Sequence, residues 1–239
     1  MLGRPRHSLK IVCQRVARCP LTSQSEAVLI LRLSVMKVPS TTAILLIGFQ
    51  NDYFHPEGIL RGALEDPAHT AAVLHRTITL LRKLQAGPTL FVATPIIFTP
   101  DYRELTEPVG ILKLVKETGA FKQGTLGAGT HRDLAALGDR VLEIPGKRGL
   151  NAFAETHLHE TLRARGIRDV VLTGAVTSVC IDSTARSAHE RGYRVTILSD
   201  CTCGRTRVEE DFYCQQVFPL YAAVQTSGHL VKELLPAAT

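Results

Sequence analysis

The chain has six cysteines, and no two of them stand in a CxxC pair. Structural zinc sites draw on that spacing, so none is expected here. The cysteine density also falls short of a secreted disulfide scaffold, which points to a reduced, cytoplasmic protein. Cys201-Thr202-Cys203 is a weak metal or redox signal. Val28 to Val35 is apolar but too short to span a bilayer, and Arg32 interrupts it. It also lies too far from the start for a secretory signal, so no membrane association is expected. Internal repeats and low-complexity tracts are missing.

Charge is missing where the net value of +6 suggests it. Residues 1–40 hold seven Lys/Arg and one acid, Glu26, while residues 41–239 hold 21 basic and 21 acidic groups. The larger part is therefore neutral and offers no footprint for nucleic acid. The chain divides into a basic extension, 1–40, and a globular domain, 41–239. Two readings of the extension stay open. It is an organelle transit peptide, which would send the protein to a mitochondrion or plastid, or a disordered tail ahead of a true start at Met36.

What is present is an alternation of strands and helices. Ala43 to Ile47 is a continuous apolar run, as in a strand buried on both faces. Asp66-Pro67 is an N-cap followed by a first-turn proline, and a helical face then runs through Leu74, Ile78 and Leu81. Further strands are expected at 89–93, 140–144, 169–172 and 193–198, with a short last one at 222–226. Helices are expected at about 154–165, 181–191 and 207–221, and 95–129 reads as a long irregular stretch. The fold class is α/β: a doubly wound, mostly parallel sheet of five or six strands with helices on both faces.

The most informative stretch is Val170 to Ala185. It reads as a buried strand, a glycine turn, then a helix opening at Cys180 with Gly192 at its C′ position. A cysteine in a helix's first turn meets unpaired N–H groups that favour its thiolate. The alternative is a small buried hydrophobe.

Three segments together resemble the isochorismatase-like cysteine hydrolases, the group that includes nicotinamidases, N-carbamoylsarcosine amidohydrolase and ureidoacrylate-type amidohydrolases. They are Gln50-Asn51-Asp52-Tyr53-Phe54; Lys147 with Ala152-Phe153 and Thr156; and Gly174 to Cys180 with Thr184-Ala185, Ala188, Gly192-Tyr193 and Asp200. The resemblance implies an Asp-Lys-Cys triad, with Cys180 as nucleophile and Lys147 as the cation holding its thiolate. It also implies a cis peptide between Ala175 and Val176, which aims the Val176 and Cys180 N–H groups at an oxyanion. A dimer or tetramer is implied as well.

Two departures matter. The family's aspartate position is Gly48, so the proton carrier is missing. Either another acid (Asp52, Glu57, Asp101, Glu104 or Glu117) enters that space, or the chain is a catalytically impaired binding or regulatory protein. Nicotinamidases carry an Asp-x-His…His cluster after the second strand, but residues 94–102 here contain no histidine. No metal and no cofactor are expected. The leading expectation is a metal-free hydrolase of an amide or carbamoyl C–N bond in a small molecule, working through an acyl-enzyme. Isochorismatase-type ether hydrolysis fits poorly without the aspartate. Tyr53, Phe54, Phe98 and Tyr102 are candidates for an apolar substrate pocket; core packing accounts for each equally well.

Overall fold

Side chains along a strand point alternately to the two faces of the sheet, so an unbroken apolar strand needs cover on both. In the computed structural model, which describes residues 37–235, β1 (Thr42–Ile47) is fully buried. Ala43, Leu45 and Ile47 enter one core and Ile44 and Leu46 the other. Five further strands run parallel to it: β2 (Leu90–Thr94), β3 (Val141–Glu143), β4 (Asp169–Ala175), β5 (Arg194–Cys203) and β6 (Ala223–Gln225). Their order is β3-β2-β1-β4-β5-β6.

The helices in chain order are α1 (Asn51–Phe54), α2 (Pro67–Leu84), α3 (Gly110–Thr118), α4 (Arg132–Ala135), α5 (Leu158–Ala164), α6 (Asp182–Glu190), α7 (Arg207–Phe212) and α8 (Ser227–Leu234). Val73, Ile78 and Leu81 of α2, with Leu230 and Leu234 of α8, cover Ile44, Leu46 and Phe91. Leu158 and Leu162 of α5, with Ala185 and Ala188 of α6, cover Leu45, Val92 and Leu172. The result is the expected three-layer α/β architecture, with six strands, all parallel. Burying each Leu, Ile or Val contributes about 1.5–3 kcal/mol.

Local signals set several boundaries. Asp66 Oδ1 accepts from the His69 N–H at 2.9 Å and opens α2. Gly192, at φ +85°, follows α6, and the Tyr193 N–H reaches back to the Ala188 carbonyl at 3.1 Å. Elsewhere the expectations need correction. The stretch 95–129 contains α3, closed by the left-handed Gly119. The helix expected from about 154 begins at Leu158. Before it, local side-chain-to-backbone bonding prevails: the Asn151 side chain accepts from the Phe153 N–H, and the Thr156 hydroxyl donates to the Ala152 carbonyl. The strand expected to end at 198 runs on to Cys203. The helix expected over 207–221 is α-helical only to Phe212, widens over Tyr213–Val217 and tightens into a short 3₁₀ turn at Phe218–Leu220, where Pro219 cannot donate. α8 was not among the expected elements. Of the extension 1–40, residues 1–36 lie outside those described; Lys37 pairs with Glu233 at 3.1 Å.

Candidate active site

The chain builds outward from β1 through β2 to β3, then returns to add β4 on the other side of β1. Open α/β sheets bind ligands beyond the carboxyl ends of strands at such a switch point. Gly48 follows β1 there, Lys147 follows β3, and Gly174 to Cys180 end and follow β4. Close approach of the two central strands needs Gly174: a Cβ on it would lie 1.8 Å from the Ile47 carbonyl oxygen, and its φ is +117°.

Cys180 does not open an α-helix. It sits in a wide turn, Thr177–Ile181, in which the Val179 and Ile181 N–H groups both donate to the Val176 carbonyl at 3.1 Å. α6 begins only after it. The Ala175–Val176 peptide is cis. Cys180 is 9% exposed and Lys147 2%. Lys147 Nζ lies 3.6 Å from Cys180 Sγ and also donates to the Gly149 carbonyl. Those two contacts hold the ammonium.

A small cavity of about 20 Å³, partly open to solvent, lies against the sulfur. Gly48, Tyr53, Lys147, Ala175 and Cys180 form its floor, and Ile96, Ile111, Leu112, Val115, Phe121 and Leu150 its walls. Its volume is room for about one water. Tyr53 meets Phe121 edge-on, with ring centroids 5.3 Å apart. Burial pushes the Tyr53 phenol well above its ordinary value, and the nearby Cys180, Cys203 and Asp52 add to this, so it stays a neutral hydroxyl. Burial likewise pushes Cys201 and Cys214 up to about 12 and Cys203 higher. These three remain thiols near neutral pH.

Among the described residues, no carboxylate lines this cavity. Asp52 accepts from the Phe121 N–H at 2.6 Å. Glu57 borders a separate surface cleft. Asp101 accepts from the Thr99 hydroxyl, and Glu104 from Thr99 and from Arg148 Nε at 3.1 Å. Glu117 is exposed beside Lys113. None of the five candidate acids occupies the space that Gly48 leaves. That space is itself closed: a Cβ on Gly48 would lie 2.7 Å from the Ala175 carbonyl oxygen.

Of the four aromatic pocket candidates, only Tyr53 borders the cavity. Phe54 stacks on Phe49, with centroids 4.9 Å apart. Phe98 is wholly buried in the core, and the Tyr102 hydroxyl donates to the Ala120 carbonyl at 2.7 Å. These three residues pack the core rather than line a pocket. The walls that sequence reasoning missed come largely from α3. Their signal was present: Ile111, Leu112 and Val115 fall at i, i+1 and i+4 between two glycines. Among the described residues, no three His, Cys, Asp or Glu side chains gather as a metal cluster.

Residues 42–228 match the isochorismatase domain. The ureidoacrylate amidohydrolase of Methylorubrum extorquens is 32% identical over 174 residues, covering 68% of this chain and 69% of that protein. An uncharacterized isochorismatase family protein of Escherichia coli O157:H7 is 31% identical over 202 residues, covering 82% and 96%. A crystal structure of a cysteine hydrolase from Pseudomonas syringae pv. phaseolicola shares the fold, with a TM-score of 0.71 at 18% identity, covering 93% of this chain and 98% of that one. The chain belongs to the isochorismatase-like cysteine hydrolase family.

Proposed function

We propose that this protein hydrolyses a C–N bond, amide or carbamoyl, of a small molecule, with Cys180 as the nucleophile and Lys147 as its proton partner. The observation that carries the reading is the buried Lys147 Nζ at 3.6 Å from Cys180 Sγ, with no carboxylate in the cavity wall. A buried ammonium needs a counter-charge, and the sulfur is the group placed to supply it. The pair is balanced as thiol with amine or as thiolate with ammonium, and one proton converts the first into the second.

Attack by the thiolate forms the S–C bond and moves the carbonyl π electrons onto oxygen, which the Val176 and Cys180 N–H groups receive. Collapse of this intermediate breaks the C–N bond. Acylation removes the thiolate charge, so the ammonium is left without a partner and its proton passes to the departing nitrogen. Water then attacks the thioester, gives its proton to the Lys147 amine, and releases the acid and the thiolate. Lys147 thus takes both proton steps that an aspartate would otherwise carry.

The test is intact mass spectrometry after exposure to an amide panel. The expected result is an acyl adduct on Cys180, abolished in Cys180→Ala. Lys147→Met is expected to slow turnover by about 10²–10⁴-fold. A folded wild-type protein that binds amides without adduct or product would favour the alternative, a binding or regulatory protein on this scaffold. One observation leans that way: the backbone at Gly48 leaves no room for the family's aspartate.

A further inference from the structure

We infer that the group seated beside Cys180 is uncharged and apolar, a short aliphatic or aryl substituent, and that the cavity rejects a carboxylate-bearing one. The inference rests on the hydrolase reading for its choice of site, and it adds the substrate's chemical class. Among the described residues, Lys147 is the only charged side chain in the cavity wall, and it is already committed to the sulfur and to the Gly149 carbonyl. The next residue, Arg148, is tied to Glu104 at 3.1 Å, outside the cavity. Tyr53 contributes a neutral hydroxyl. An anion placed here would lose its water and gain no counter-ion, which is heavily unfavourable.

The same walls suit an apolar occupant. The cavity holds little more than one water, so a substrate must displace something. Ile111, Leu112 and Val115 belong to one short helix, α3, with a left-handed glycine at each end, Gly110 at φ +56° and Gly119 at φ +77°. Lifting α3 uncovers those side chains. An apolar substituent covers them again, whereas a carboxylate leaves them facing a charge.

Two reagents of matched length read this directly: N-butyl chloroacetamide and N-(3-carboxypropyl) chloroacetamide. With each, the Sγ–CH₂ bond forms as the C–Cl bond breaks and chloride leaves. Rates on Cys180 are followed by mass spectrometry and divided by each reagent's rate with glutathione. The butyl reagent is expected to be faster by roughly 30-fold or more, as burial of an unpaired charge requires. Leu112→Arg, on a half-buried helix position, is expected to shrink or reverse that ratio. Normalised rates within about threefold of each other, or a faster carboxylate reagent, would overturn the inference. So would failure of both reagents on the folded chain when both label Cys180 in urea. Failure of the hydrolase reading looks different: no acyl adduct from any amide, with the alkylation preference intact.

Discussion

At position 48 a side chain has nowhere to go. The backbone is left-handed, at φ +71°, and the first side-chain atom would meet the Ala175 carbonyl oxygen at 2.7 Å. Gly48→Asp is therefore expected to destabilise the fold by about 1–3 kcal/mol and not to create or raise amidase activity. Urea denaturation and turnover on the amide panel check both parts; a stable variant with raised activity would show that the strand end relaxes around the carboxylate. Position 48 also shows what one letter of sequence conveys. The missing acid was legible, because a glycine has no titratable group. The conformation that forbids restoring it was not, since it depends on Ala175, far away in the chain. That Cys180 and Lys147 belong together was an expectation of the resemblance, and the structure brings the two side chains within 3.6 Å; residue type alone would have left the cysteine a buried hydrophobe. Phe54, Phe98 and Tyr102 were left open between core and pocket, because an aromatic side chain suits both equally, and they lie in the core.

The element that positions Lys147 is held by a carboxylate clamp. Burial alone would raise the Glu104 carboxyl, but the Thr99 hydroxyl and N–H and the Arg148 guanidinium outweigh it and hold the group at about 2, against an ordinary 4.5. Because the folded value is the lower one, the clamp stabilises the fold above pH 4.5. That contribution is lost as pH falls from 4.5 towards 2. Urea midpoints of wild type and Glu104→Gln are expected to differ most above pH 4.5 and to converge towards pH 2. A constant gap across that range would mean the glutamine variant fails for another reason. Elements with strong local signals were legible: Asp66-Pro67 placed α2, and Gly192 placed the end of α6. α3 was passed over although its amphipathic pattern was present, because the prolines and glycines around this nine-residue helix read as a loop. The turn at Cys180 was misread as α-helix because its wide bonding to Val176 leaves no mark in residue type.

At the scale of the molecule, the parallel three-layer plan was legible because alternating strands and helices leave few ways to cover apolar strands on both faces. The pairing at its centre has a consequence for how the chain is made. The Thr173 hydroxyl on β4 donates to the Leu45 carbonyl on β1, 128 residues away in sequence. Those strands are neighbours in space but among the most distant partners in time. At 5–20 residues per second, the ribosome needs roughly 6–25 s to deliver β4 after β1 has emerged. Through that interval one edge of the most apolar strand has no partner, a ready template for another chain. Folding should therefore be slow and late, as expected for high contact order. A chain cut between β3 and β4, at residue 150, is expected to aggregate although it holds three complete strands; a soluble, cooperatively melting fragment would show that the first half closes on its own. In the cell, the full-length chain would lean on a holding chaperone until β4 arrives.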